Sequence, residues 1–440
     1  MKDMRITRRR FLGSAAALGA FTIVPRHVLG GPGNVPPSEK LNIACIGIGG
    51  QGASDVGEVS TENIVALCDV DWRHAAKTFE AHPKAKKYRD FRTMLEAEAK
   101  NIDAVTVSTP DHIHAVAAMM AIKMGKHVYC QKPLCHDIHE VRRLTVAARE
   151  QGVMTQMGTQ IHATTELKTL VEMIKSGVIG KVRRVDIWSG KNWGCGARPT
   201  DTPPVPETLD WDLWLGPAPY RPYHPIYLPG NWRRWWDFGT GTLGDMACHI
   251  LDPAWWALDL EYPTSVEAHP GPFNSETYPE KTIVKWEFPA RGDRPPVTVT
   301  WYDGENRTPR PPELEVGRRL PGEGGLYYGD DGIILCPHMG GPRLLPESRM
   351  RGFKAPEPFL PRAGGGASDH YQQWIRACKG GPKPLSNFDY AGPMSEAVLL
   401  GNVAARAGQK FEWDGPAMKV TNLPEANQWL RRQYREGWLL

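Results

Sequence analysis

The stretch LNIACIGIGGQGASDVGEVSTENIVALCD, Leu41–Asp69, reads as a strand, a glycine turn, a helix and a second strand that ends on an acid. Gly47, Gly49 and Gly52 form G-x-G-x-x-G directly after the apolar run Ile43 to Ile46, and Asp69 lies twenty residues beyond Gly49, closing the run Ile64 to Cys68. This is the spacing of a dinucleotide-binding βαβ unit. Gly47 permits the tight turn, Gly49 lets the backbone come close to a pyrophosphate, and Gly52 lets the helix lie against the strand. Gly50 completes the turn, and the phosphates belong at the positive N-terminus of the helix. Asp69 is expected to accept hydrogen bonds from the adenosine ribose, and its charge would repel a 2′-phosphate. NAD is therefore expected rather than NADP. The competing reading is a glycine turn with no ligand.

A chain of 440 residues that is 41% apolar suits two domains and can bury a sizeable core, which excludes a disordered or fibrous protein. Near its start, Thr7-Arg8-Arg9-Arg10-Phe11-Leu12 matches the twin-arginine pattern S/T-R-R-x-F-L. The apolar stretch from Phe11 to Val24 is fourteen residues long, too short to span a bilayer comfortably. Residues 1–37 are read as an export signal and linker, addressed to machinery that carries folded cargo, with a periplasmic or otherwise exported destination. An uncleaved anchor is the alternative. Lys2, Arg5, Arg8, Arg9, Arg10 and Arg26 against Asp3 account for the formal charge of +4, and the remainder of the chain stands near −1. Later basic residues are interleaved with acids, so no nucleic-acid partner is expected. The eight cysteines form no C-x-x-C pair and read mostly as small apolar residues, with a disulfide as the alternative.

From Leu41 to about Gly158, short apolar runs alternate with helical stretches, the pattern of a parallel sheet covered by helices on both faces. The runs are Ile43 to Ile46, Ile64 to Cys68, Ala104 to Val107, Val128 to Cys130 and Val153 to Met157. Asp111 is expected to cap a helix that stops at Gly125, and Asp137 one that stops at Gly152. The expected domains are 38–160, a Rossmann NAD-binding domain, and 161–440, an α+β domain with a mostly antiparallel open sheet. In the second, a helix is expected over Thr164 to Ser176 and strands over Val182 to Trp188, Val266 to His269, Thr282 to Phe288 and Val297 to Tyr302. Another helix is expected from Thr242 to Leu258. Residues 304–366 read as surface loops with short strands, and helices return at Ser368 to Lys379 and Tyr390 to Ala407.

Ligands of open parallel sheets bind beyond the carboxyl ends of the strands, so Thr109, Pro110 and His114 after one strand and Gln131 and Lys132 after the next are cofactor-site candidates. Lys132 is also the first catalytic candidate, because a lysine beside an oxidised nicotinamide would have a lowered pKa and could accept a proton. Its bland alternative is an exposed lysine before a turn proline. Asp245 and His249 stand at i and i+4 of a predicted helix, where an acid and an imidazole can share proton work on a substrate hydroxyl. A local helix-stabilising pair is the competitor. A metal site would need a third ligand that the local spacing lacks, so none is expected. Nine of the sixteen tryptophans lie between Trp188 and Trp256. Their flat rings suit sugar faces, but most are expected to pack a core or a subunit interface.

These residues together resemble the glucose-fructose oxidoreductase/inositol dehydrogenase/MocA (Gfo/Idh/MocA) family across essentially Leu41 to Trp413. The resemblance rests on Gly47 to Gly52, the Thr-Pro-x-x-x-His element Thr109 to His114, Gln131-Lys132-Pro133 in place of Glu-Lys-Pro, and the D-x-x-x-H pair Asp245 to His249. The stretches from Leu209 and from Trp232 further resemble an exported subgroup of that family. The likeness implies that Lys132, Asp245 and His249 line the substrate cavity against the nicotinamide, and that the open sheet mediates homo-oligomers. Gln131 loses the charge that would pair with Lys132, which predicts a lower pKa for that lysine. The leading expectation is an NAD-dependent oxidoreductase acting on a secondary hydroxyl of a sugar or glycoside, with a tightly held cofactor because no nicotinamide pool exists outside the inner membrane. A redox-neutral NAD-dependent glycoside hydrolase or lyase is the alternative. A non-catalytic sugar-binding protein is a third reading.

Overall fold

The computed structural model describes residues 39–440 apart from 363 and 365, so the twin-arginine stretch lies outside the described residues. The first sheet contains β1 (Asn42–Ile46), β2 (Asn63–Cys68), β3 (Lys86–Tyr88), β4 (Ala104–Val107), β5 (His127–Cys130) and β6 (Thr155–Met157). All are parallel, in the order β3-β2-β1-β4-β5-β6. The order in which successive strands are added reverses between β1 and β4, which opens a crevice at their carboxyl ends. Strand β3 was not expected, because its three residues include two exposed lysines at the sheet edge and form no apolar run.

Helix α1 (Gln51–Val59) follows the glycine turn, and α2 (Ala76–Ala81), α3 (Phe91–Ala97), α4 (Asp111–Lys123) and α5 (Ile138–Gln151) make the later crossovers. Asp137 caps α5 as expected, in a capping box with Glu140, and Gly152 ends it in the left-handed region. Asp111 does not cap α4. Pro110 holds that position, and the Asp111 carboxylate, inside the first turn, accepts a 2.6 Å hydrogen bond from the Thr240 hydroxyl.

Helix α6 (Thr165–Lys175), capped by Thr164, leads into the second sheet. That sheet contains β7 (Val182–Ser189), β8 (Ser265–Pro270), β9 (Thr282–Phe288), β10 (Val297–Asp303), β11 (Glu323–Gly329), β12 (Gly332–Pro337), β13 (Arg343–Leu345), β14 (Phe411–Asp414) and β15 (Lys419–Val420). The order is β13-β12-β11-β7-β10-β9-β8-β14-β15, antiparallel except for the β7–β10 pair. Burial alternates strictly along β9 and β10, so Val284, Trp286, Val299 and Trp301 face the helices. The region expected to be mostly loop thus supplies three sheet strands. Its glycines and charges hid them.

Between β7 and β8 runs the tryptophan-rich excursion, which includes α7 (Trp211–Leu215). Trp211, Trp214, Trp232, Trp235, Phe238 and Tyr227 build a satellite core of their own. A single helix from Thr242 to Leu258 does not form. Leu243–Ala247 is a π-helical turn, α8 (Cys248–Ile250) follows, and the chain bends at Leu251 before α9 (Asp252–Ala257). Pro253 has no N–H to continue the ladder, and the π turn inserts an extra residue ahead of it.

Two late helices join the layers. In α10 (Ser368–Cys378), Tyr371, Trp374 and Ile375 pack with Ile43 and Cys45 of β1 and Val56 of α1. In α11 (Phe388–Ala407), most residues are buried in the large core that contains both sheets. The eight cysteines are free, and six are buried as small apolar residues.

Candidate active site

The crevice between β1 and β4 is shaped by glycine. Gly47 has φ +73, and a Cβ there would lie 2.8 Å from the Ser108 carbonyl; at Gly52 a Cβ would meet the Gly47 carbonyl oxygen at 1.9 Å. No larger residue fits either place, so α1 begins hard against the end of β1 and aims its N-terminus at the crevice. At Gly49 the close neighbour is the His74 ring, 2.1 Å from the position of a Cβ, a residue the sequence did not single out. Gly50 has φ +51 and ψ −120, a conformation reserved for glycine.

Asp69 stands across this turn. Its carboxylate accepts the Ile48 amide at 2.8 Å and the Asp71 amide at 2.9 Å, which fixes its orientation. Burial raises its pKa, and these two amides act against that rise. Thr109 lines the same crevice with a buried hydroxyl that has no hydrogen-bond partner among the described residues. A glycine cradle at a helix N-terminus, an acid closing the second strand and an unpaired hydroxyl fit a dinucleotide.

The cleft continues into the second domain as a cavity of about 500 Å³. Gly47, Gly49, Gly50, Asp69, Thr109, Pro110, Gln131 and Lys132 line it from one side, and Trp232, Arg233, Met246, His249 and His338 from the other. Lys132 Nζ donates to Asp245 Oδ1 at 2.7 Å and to the Asp245 carbonyl at 2.9 Å. Asp245 also accepts from Arg233 Nε at 3.0 Å and from Trp193 Nε1 at 2.8 Å. Burial alone would raise the Asp245 pKa, but Lys132 and Arg233 outweigh it and hold the carboxyl far below its usual range. Arg233 is itself stacked 4.2 Å over the Trp232 ring.

Two expectations change here, the pairing of Asp245 and the role of His114. Asp245 is engaged by Lys132, Arg233 and Trp193 rather than by the imidazole four residues on, because the π turn breaks the i, i+4 register. His249 faces the cleft beside Lys132 and the His338 ring, with ring centroids 5.6 Å apart. Its burial, with Lys132 and His338 adding to it, depresses its pKa well below the ordinary imidazole value, so it is neutral at neutral pH. His114 does not reach the cofactor crevice. Its ring nitrogens lie 2.9 Å from the Pro133 carbonyl and 2.8 Å from the Thr109 carbonyl, and it pins the two strand-end loops together.

Gln131 is not an idle stand-in for a partner of Lys132. Its amide donates to both oxygens of Asp55, at 3.1 and 2.9 Å, and Asp55 also accepts from Ser108, Gln51 and Tyr371. A glutamate at 131 would face a buried carboxylate, which explains the neutral amide. The carboxylate partner of Lys132 is Asp245. Sequence reasoning missed Asp55, Arg233, Trp193 and His338. Asp55 sits within the quoted βαβ unit and Arg233 within WRRWWD, but their contacts cross the fold, and His338 follows a strand that gave no signal.

Residues 41–159 match the family model described as the NAD-binding Rossmann fold of the Gfo/Idh/MocA oxidoreductases, and residues 163–285 match that family's C-terminal alpha/beta domain, together more than half of the chain. The chain belongs to the Gfo/Idh/MocA family. Residues 41–159 are thereby an NAD-binding domain. Among curated relatives, the 1,5-anhydro-D-fructose reductase of Ensifer adhaerens is 26% identical over 163 residues, 36% of this chain and 38% of that protein. The inositol 2-dehydrogenase of Salmonella paratyphi B is 26% identical over 201 residues, 43% of this chain and 58% of that protein. The matched region thus spans less than two thirds of either relative. The WlbA dehydrogenase of Bordetella pertussis, solved with NADH and UDP-GlcNAcA, shares the fold at a TM-score of 0.59 and 17% identity, covering 85% of this chain and 99% of that one.

Proposed function

We propose that this protein is an NAD-dependent oxidoreductase that acts on a secondary hydroxyl of a sugar or glycoside. The observation that carries the reading is the meeting of Lys132, Asp245 and His249 in one cleft with the glycine cradle. Bound NAD supplies the hydride acceptor. His249, being neutral, takes the proton of the substrate hydroxyl. The Lys132 ammonium, oriented by Asp245, donates to the same oxygen and stabilises negative charge as it develops. Arg233 and Trp193 keep Asp245 ionised and still, and leave Lys132 a fixed direction. The two curated relatives are named as a reductase and a dehydrogenase of polyhydroxylated rings; neither name describes glycoside cleavage.

The twin-arginine pattern from Thr7 to Leu12 supports export of a folded, cofactor-loaded enzyme. In that setting a second sugar serves as the acceptor that restores NAD. The test is the nicotinamide content of the purified full chain, followed by turnover with paired sugars. About one NAD per chain, with turnover lost in Lys132→Ala and His249→Ala at unchanged NAD content, is the expected result. A chain that neither carries nor takes up NAD overturns the reading.

A further inference from the structure

Behind the His249–His338 pair lies a second cavity of about 290 Å³, formed between the helix-covered face of the second sheet and α6 and α9. His249 and His338 line both this chamber and the cofactor cleft, so the two spaces are neighbours across the imidazoles. Leu167, Ile250 and Tyr327 make apolar walls, Gly324 and Gly325 of β11 add backbone with the Tyr327 ring lying over Gly325, and Glu166 is the carboxylate of the lining. Thr164 adds little polarity. Its hydroxyl already donates to the Ile161 carbonyl at 2.8 Å and accepts the Leu167 amide in the α6 cap. At the rim stands Met339, 76% exposed.

The pocket opens at its rim, where Glu166 is exposed, and its inner walls are mainly apolar. The volume is at the small end of ligand pockets. Against those inner walls hydroxyl-rich rings would lose hydrogen bonds, whereas a flat apolar ring can lie against Leu167, Ile250 and Tyr327. Exposed methionine at a mouth is an adaptable apolar contact.

We propose that this chamber binds an apolar, ring-shaped substituent of the substrate, such as the aglycone of an aryl glycoside, while the sugar ring occupies the cleft beside Lys132 and His249. The assignment of the sugar to the cleft rests on the oxidoreductase reading; the chamber's affinity for an aromatic ring does not. The reacting hydroxyl and the apolar group then lie on opposite sides of the imidazole pair.

Calorimetric titration of the full chain with 2-naphthol tests the chamber directly. One saturable site per chain is expected, weakened at least tenfold in Gly340→Phe, which adds a ring to the lining, and in Met339→Glu, which places a charge at the rim. A Cβ at Gly340 meets only Pro337, at ordinary contact distance, and Met339 is exposed, so both variants should keep the wild-type melting temperature and nicotinamide content. Phenyl and methyl pyranosides of gluco, galacto, manno and xylo configuration then give the second readout. For any configuration turned over, KM is expected to be at least tenfold lower for the phenyl form, a preference that falls below twofold in the variants. Absence of saturable 2-naphthol binding, unchanged binding in both variants, or equal KM for phenyl and methyl forms overturns the proposal. Naphthol binding that the variants weaken, in a chain without NAD, upholds the chamber and places the failure in the oxidoreductase reading.

Discussion

The Lys132–Asp245 contact is short, nearly dry and part of a four-group cluster, so removal of Asp245 leaves Lys132 and Arg233 without their shared carboxylate, whereas removal of Lys132 leaves Asp245 paired with Arg233. Asp245→Asn is expected to lower turnover about 100- to 1,000-fold, the scale of losing oriented charge stabilisation at the reacting oxygen, with nicotinamide content unchanged. Loss of NAD in parallel would mean that Asp245 supports the fold of the cleft instead. The other buried carboxylate, Asp55, makes a different demand. Gln131→Glu would set two carboxylates against each other and is expected to destabilise the protein by about 2–4 kcal/mol at pH 8 in urea unfolding, less at pH 5 where one of them can be protonated. Adding Asp55→Asn to that variant should recover much of the loss. If the double variant is no better than Gln131→Glu alone, the two side chains are not coupled.

Among the elements, α10 does the most unexpected work. It comes late in the chain, yet its Tyr371 donates to Asp55 at 2.6 Å, and its Trp374 is fully buried against the first sheet. Trp374→Ala should cost about 3–5 kcal/mol of stability. Because Tyr371 rides on the same helix and Asp55 lies just beyond the glycine turn, NAD retention should fall as well, read as nicotinamide per chain after gel filtration. Retention at the wild-type level would show that α10 supports stability without holding the cofactor crevice. The π turn at Leu243–Ala247 is the second decisive element: it carries Asp245 to Lys132 and leaves His249 facing the cleft, a placement that a regular helix over the same residues would not give.

For the whole molecule, pH acts through a buried carboxyl of the second sheet. Asp303, at the end of β10, has burial pushing its pKa up to about 7, opposed by hydrogen bonds from Trp301 Nε1 and the Thr282 amide. A carboxyl whose folded pKa exceeds its unfolded value stabilises the fold when protonated, and that contribution is lost as pH rises from about 4 to about 7. The stability of the wild type relative to Asp303→Asn should therefore fall between pH 4 and pH 8, by up to about 4 kcal/mol. A difference in urea midpoint that does not change with pH would refute this. Added NAD at 100 times its Kd should raise the stability of the cofactor-free chain by about 2.7 kcal/mol.

Local spacing predicted five of the six strands of the first sheet, the glycine turn and Asp69, and singled out Lys132, Asp245 and His249 separately, because strand periodicity, turn geometry and the acid's position are properties of short segments; that the three share one cavity was implied by the family resemblance. The proposal of export likewise rests on a local pattern, Thr7 to Leu12. Tertiary structure decided what those side chains do to one another. It gave Asp245 to Lys132, Arg233 and Trp193, gave Gln131 to Asp55, and turned His114 into a brace between loops. It also put His338 beside His249 and opened the chamber behind them. Most of these depend on contacts between residues dozens of positions apart, 113 for Lys132 and Asp245, made only when the two sheets pack through a shared core, and no periodicity within a segment encodes such a meeting.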